Sequence, residues 1–290
     1  MRKRIFDIGA LSDIGFVKKT NQDSILVKIG EDKTGEFGLF VVADGMGGLS
    51  YGDVASRIII DEFKKWWDGR LRSVICNDRV SADSIIKDLE RLIIMINLKI
   101  IDYGKSVKSK VGSTLSMLFI YRNTYIVLHI GDSRIYKVNQ VVHQITEDHS
   151  WAAQLLKEGK LSSQEARNFV GKNMLTRCMG VEEKIEIFKA ARKVKKGDCF
   201  LVCSDGFHNL ISEEEMLETI AQCSAGKERV LQGAVRGLFK TVKKRGAYDN
   251  ISAIAVQPYY QNYFKIFGQR AERVFRSVKA SCRKVCRILD

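Results

Sequence analysis

Apolar residues alternate or cluster in short runs at Ile5–Leu11, Ser24–Ile29 and Phe37–Ala43, which predicts three strands. From Val54 the period lengthens. Ala55, Ile59, Phe63 and Trp66/Trp67 share one helical face, and Ile85, Leu89, Leu92, Ile96 and Ile100 mark a second helix from about Ser81 to Tyr103. Strand patterning returns at Ser113–Ile120, Tyr125–Ile130, Arg134–Val138 and Val141–Ile145. Asn123 and Asn139-Gln140 sit where tight turns belong, so these segments predict antiparallel hairpins. Residues 149–180 read as two short helices with irregular chain. Ile185–Ala190 and Cys199–Cys203 read as strands, Glu213–Gln222 and Glu228–Lys244 as helices, and Ile251–Val256 as the last strand.

This mixed order departs from the alternation a doubly wound parallel sheet requires. Two central antiparallel sheets packed together and flanked by helices would bury every stripe: an α+β fold, a four-layer α-β-β-α sandwich. The 290 residues, 45% hydrophobic, suffice for a substantial core, and no run approaches the roughly 20 apolar residues of a membrane span. The basic start, Met1-Arg2-Lys3-Arg4, leads directly into strand patterning and reads as no signal peptide. Seven cysteines are scattered without a Cys-x-x-Cys pair, as expected of reduced thiols in a cytoplasmic protein. No P-loop is present, and Ser50 stands where a dinucleotide motif would need its third glycine.

The net charge of +14 suggests an anionic partner, and much of it sits past the single proline, Pro258. There Tyr260, Phe264, Phe267, Ala271, Val274, Val278 and Cys282 recur at helical spacing, among eight Lys/Arg and two acidic residues. The expected division is therefore a catalytic domain, 1–258, and a basic amphipathic C-terminal helix, 259–290. Packing of its stripe on the body or on a second copy ranks first. Binding to an anionic surface, peripheral at the inner membrane, ranks second. Nucleic acid is not expected as a partner, since no binding motif accompanies the charge.

The chemistry lies at strand ends. Asp44 closes the apolar run Phe40-Val41-Val42-Ala43 and is followed by Gly45, Gly47 and Gly48, which leave a main-chain carbonyl open to a ligand. Asp23, Asp132, Asp205 and Asp249 also abut strands. Each alone fits a turn or cap. Together in one cleft they would repel one another unless cations intervened. An oxygen-only set favours Mg²⁺ or Mn²⁺ over zinc, and two such ions form a hydrolytic centre for phosphoesters.

Lys18-Lys19-Thr20-Asn21-Gln22-Asp23, Asp44-Gly45-Met46-Gly47-Gly48, Gly112-Ser113-Thr114, Gly131-Asp132-Ser133-Arg134, Thr146-Glu147-Asp148-His149-Ser150, Ser204-Asp205-Gly206 and Asp249-Asn250 follow one another in order. Over about residues 5–257 this set resembles the metal-dependent type-2C serine/threonine protein phosphatases, the PPM family, in their compact bacterial form. The resemblance implies that Asp44 bridges two Mn²⁺ or Mg²⁺ ions, with the Gly45 carbonyl on one of them. It further implies that Asp205 and Asp249 complete the other site, that Asp23 orients metal-bound water, and that Asp132 with Asp205 holds a third, weaker ion. Residues 151–172 fall at the family's flap.

Two departures stand out. Lys18 occupies the place of the phosphate-clamping arginine, supplying charge without the two-pronged geometry. Met46 replaces a histidine of eukaryotic relatives and cannot donate a proton; His149 is left outside the catalytic set. The expected function is hydrolysis of phosphoserine and phosphothreonine in proteins, with a cognate serine/threonine kinase as a further partner. The competing readings are a phosphoprotein-binding regulatory module on the same fold and a phosphoesterase of small molecules.

Overall fold

The computed structural model describes residues 2–46, 51–75, 80–171, 174–221 and 230–262. Its strands are β1 (Arg2–Asp13), β2 (Asp23–Asp32), β3 (Gly35–Asp44), β4 (Leu115–Tyr121), β5 (Thr124–Ile130), β6 (Arg134–Val138), β7 (Val142–Gln144), β8 (Phe188–Lys193), β9 (Cys199–Cys203) and β10 (Ile251–Asn262). One curled path divides into two antiparallel halves, β8-β5-β4-β3-β2 and β7-β6-β9-β10-β1. A single parallel bridge, Arg4 to Gly35, joins them at one corner.

The period-two pattern explains the layering, because alternate side chains leave a strand on opposite faces. Phe40 and Val42 of β3, Leu118 and Ile120 of β4, Phe200 and Val202 of β9, and Ile254 and Val256 of β10 meet in a core between the halves. The intervening residues point outward. Leu39 and Val41 join Met117 and Phe119 under α1 (Gly52–Lys65) and α3 (Ala82–Ser106). A turn of π-helix, Trp66–Arg70, and α2 (Leu71–Ile75) connect those two helices.

On the opposite face Leu201, Cys203, Ala253 and Ala255 pack beneath the last two helices among the described residues, over Glu213–Ala221 and Val230–Lys244. Before them come α4 (Trp151–Lys157), α5 (Ser163–Asn168) and the four-residue α6 (Asp205–His208), which makes the outer pair α7 and α8. Helix, sheet, sheet, helix is the predicted order of layers.

Three local differences from the sequence reading have physical causes. β8 starts at Phe188, opposite His129, because the chain before it is drawn to α3: Asn97 donates to the Glu182 carbonyl (2.7 Å) and accepts from the Gly180 amide (2.7 Å). The turn α6 was not predicted, being too short to show a period. The largest correction concerns the tail. β10 runs through Pro258 to Asn262, paired with β1 throughout, so 259–262 are strand rather than the start of a helix. Proline is tolerated there because the β9 ladder ends at Val256, and among the described residues no strand pairs with that flank of β10 beyond it. The rest of the predicted helix, 263–290, lies outside the described residues, as do Gly47, Gly48 and Ser50.

Candidate active site

Strand register brings the predicted aspartates to one end of both halves. Asp23 opens β2 directly opposite Asp44, which closes β3. Asp132 follows β5, Asp205 starts α6 just after β9, and Asp249 stands two residues before β10. The halves are stitched together here. The Ser204 hydroxyl donates to Asp23 Oδ2 (2.8 Å) and accepts from the Ser252 amide (2.9 Å).

Each carboxylate is fixed by its backbone. The Asp44 carbonyl accepts from the Thr114 amide (2.8 Å) and the Ser113 hydroxyl (3.0 Å), and its own amide donates to Thr114 Oγ1 (3.1 Å). The Gly45 amide donates to the Gln22 carbonyl (3.1 Å). Gly206 is required by close approach: a Cβ there would lie 2.1 Å from the Asn250 carbonyl oxygen and 3.1 Å from Asp249 Cβ. Gly15 combines φ of +78° with a Cβ direction that points 2.3 Å from the Asp249 carbonyl oxygen.

The electrostatics follow from crowding. Asp23 is buried; Asp44, Asp132, Asp205 and Asp249 are half-buried, open to the cleft but ringed by protein. Removal from water, then repulsion from Asp23, Asp205, Asp132 and Asp249, raises the Asp44 pKa well above its ordinary value. The same two causes, in that order, push Asp23 up to about 7 and Asp132 up to about 8 and also raise Asp205. One ammonium answers them. Lys18 Nζ lies 2.8 Å from Asp249 Oδ1; burial works against its charge, but Asp249, Asp44 and Asp205 outweigh that and raise its pKa.

The donor set suits a hard divalent ion. Asp23 Oδ1 is buried with no hydrogen-bond partner, the nearby Ser252 hydroxyl being engaged by Ser12 (2.9 Å). The remaining donors are carboxylates around one cleft. Among the described residues no three His, Cys, Asp or Glu side chains close around a single point. Ions that keep several waters need no such closed shell.

Sequence reasoning missed the residues that hold this arrangement. Asn250 is buried, its Oδ1 accepting from the Gln22 amide (2.9 Å) and its Nδ2 donating to the carbonyls of Ile14 (2.9 Å) and Thr20 (3.1 Å). His208, also buried, lies against the Asp132 carbonyl (3.0 Å), and burial pushes it down to about 3. His149 serves the fold: its Nδ1 accepts from the Gly131 amide (3.0 Å), and burial pushes it down to about 4. The predicted flap begins at α4, and the chain returns through Met179, which pairs with Ser113 beside Gly45.

Two sheets with a carboxylate cleft between their ends, and helices outside, define a class of acid-lined hydrolase scaffold. The comparisons with known proteins agree on which one. The family model described as "Protein phosphatase 2C" matches residues 17–239. Serine/threonine phosphatase stp of Listeria innocua is 31% identical over 249 residues, 85% of this chain and 93% of that protein. The serine/threonine phosphatase of S. agalactiae has a TM-score of 0.74 at 30% identity, over 87% of this chain and 99% of that one. The catalytic domain of the phosphatase PstP, in complex with two manganese ions, gives a TM-score of 0.71 at 25% identity, over 88% and 99%. The chain belongs to the protein phosphatase 2C family, the family its motifs resemble.

Proposed function

We propose that the cleft between the two half-sheets removes phosphate from serine and threonine side chains of proteins, using divalent ions held by its aspartates. The protein is a serine/threonine protein phosphatase. The observation that carries the site assignment is the convergence of five carboxylates from both halves, with Lys18 among them and with the pKa values of Asp23, Asp44, Asp132 and Asp205 raised by burial and mutual repulsion. Asp44, the Gly45 carbonyl, Asp205 and Asp249 would hold two ions, and Asp132 with Asp205 a third. Mn²⁺ or Mg²⁺ bound there would supply positive charge opposite the phosphoryl oxygens and acidify water.

The chain's own groups do the rest. Asp23, aimed by Ser204, accepts a proton or hydrogen bond at the cleft floor. Lys18 meets the anionic substrate at the rim. The Cys203 thiol, two residues from Asp205, is no competing nucleophile, because burial raises its pKa far above neutrality. The same reading makes a serine/threonine kinase the source of substrate.

The test is hydrolysis of a phosphothreonine and a phosphotyrosine peptide in Mn²⁺ and in EDTA. Faster, EDTA-sensitive release from phosphothreonine is expected. EDTA-resistant release would overturn the metal assignment, and a phosphotyrosine preference the substrate class. Lys18→Arg is expected to raise kcat/KM on the phosphothreonine peptide about 3- to 10-fold, since a guanidinium grips a phosphate in two places. An unchanged value would mean that residue 18 serves Asp249 and not the phosphate.

A further inference from the structure

The loop between β1 and β2 carries more than Lys18. Phe16 and Val17 are each 65% exposed and Tyr248 is 63% exposed, although burying such a side chain is worth roughly 1.5–3 kcal/mol. Isolated exposed apolar residues need no explanation, but neighbouring ones mark a contact surface. These are neighbours. The Phe16 amide donates to the Ala247 carbonyl (2.9 Å), next to Tyr248, whose ring lies flat enough over Gly246 that a Cβ there would touch it. Lys243 Nζ stands 5.8 Å from the centre of the Phe16 ring and 2.5 Å from Asp13 Oδ2.

The shelf is rigidly held and continuous with the cleft. Asp13 Oδ1 accepts from the Gly15 amide (3.0 Å), and Asn250 pins Ile14 and Thr20. One residue beyond Val17 is Lys18, one beyond Tyr248 is Asp249, and those two are bonded to each other. This rim is therefore one edge over which a polypeptide with its phosphate at the aspartates can leave the cleft. A preformed apolar surface gives affinity at little ordering cost.

We propose that Phe16, Val17 and Tyr248 form a docking shelf for the substrate chain, selecting phosphoproteins with a large apolar side chain within a few residues of the phosphorylated one, since the shelf residues adjoin Lys18 and Asp249 in the chain. The inference rests on the phosphoprotein reading above. It predicts that recognition is divided: charge at the cleft fixes the phosphate, and the shelf chooses the sequence around it.

The test compares phosphothreonine peptides carrying Leu or Ser at the flanking positions, on each side in turn, with p-nitrophenyl phosphate as a substrate too small to reach the shelf. For the full chain, kcat/KM is expected to be about 10-fold higher with Leu on one side, the effect of a modest apolar contact. Phe16→Ser/Tyr248→Ser should bring that ratio within 2-fold, mainly through KM, while p-nitrophenyl phosphate turnover stays unchanged. Val17→Ser, a smaller change, should lower the ratio partway and decides the matter if the double variant loses turnover on both substrates. No Leu preference in the wild type, or one that survives these variants, overturns the proposal. So does a fall in oligomeric mass without a change in preference, which would make the shelf a contact between copies. Turnover of the small ester with no peptide hydrolysis at all would instead overturn the phosphoprotein reading.

Discussion

Asp205→Asn is expected to abolish phosphatase turnover while making the ion-free protein more stable. The two effects share a cause. Asp205 stands among Asp44, Asp132 and Asp249; burial and then repulsion from Asp249 raise its own pKa, and its charge helps to raise those of Asp44 and Asp132. An amide of the same shape removes one charge and keeps the packing around α6. Turnover should fall at least ~10³-fold, about 4 kcal/mol of transition-state stabilisation, because on the proposed assignment an ion ligand would be gone. Thermal unfolding in EDTA should move up by about 3–6 °C, corresponding to one or two kcal/mol of relieved repulsion. Lower stability in EDTA would show that the carboxylates are compensated within the chain and need no ion.

The same repulsion sets a pH dependence. Asp23 is pushed up to about 7 and Asp132 up to about 8, by burial first, whereas in the unfolded chain both titrate near 4. Between these limits the folded state keeps protons that the unfolded state has released. Ion-free stability therefore falls as pH rises from about 4 to about 8, and levels off above. Mn²⁺ should flatten that slope, since the carboxylates then stay ionised in the fold at little cost. Melting curves at pH 5.5 and pH 8 with and without EDTA read it directly.

How much of this was legible in the sequence depends on what kind of signal each residue carries. The layers were legible because β3, β4 and β9 read as short, nearly continuous apolar runs, which must be covered on both faces, and their alternate side chains do enter two different cores. The aspartates were legible because each abuts an apolar run: Asp44, Asp132 and Asp205 come after one, and Asp23 and Asp249 come before one. Asn250 was not, since a buried asparagine and a solvated turn asparagine look alike in sequence. What distinguishes it is three partners far away in the chain. Nor could the exposure of Phe16 be read: an aromatic in a polar loop is usually a core anchor, and only the fold turns it outward. The continuation of β10 past Pro258 was hidden because proline normally ends a strand, and it is permitted here where the β9 ladder has already ended at Val256.

Asn250 sustains the second large expectation. Its side chain joins three stretches of backbone, the Gln22 amide before Asp23 and the carbonyls of Ile14 and Thr20 on either side of Lys18. Asn250→Ala would leave one amide and two carbonyls without their partners, at about 1–3 kcal/mol for each group that water cannot reach. The loop holding Lys18 would be freed from Asp249 even if the sheets stayed intact. We expect unfolding free energy to fall by about 3 kcal/mol and kcat/KM on a phosphopeptide by ~10²-fold, the scale seen when groups that orient ion ligands are removed. Asn250→Asp is the sharper variant. It keeps the acceptor for Gln22 but sets a carboxylate oxygen against two carbonyls and adds a sixth carboxylate beside the cluster. If Asn250 acts by tying the loop, Asp should be at least as damaging to turnover as Ala, although it fills the same space. An Asp variant near wild-type activity would show that packing alone holds the loop.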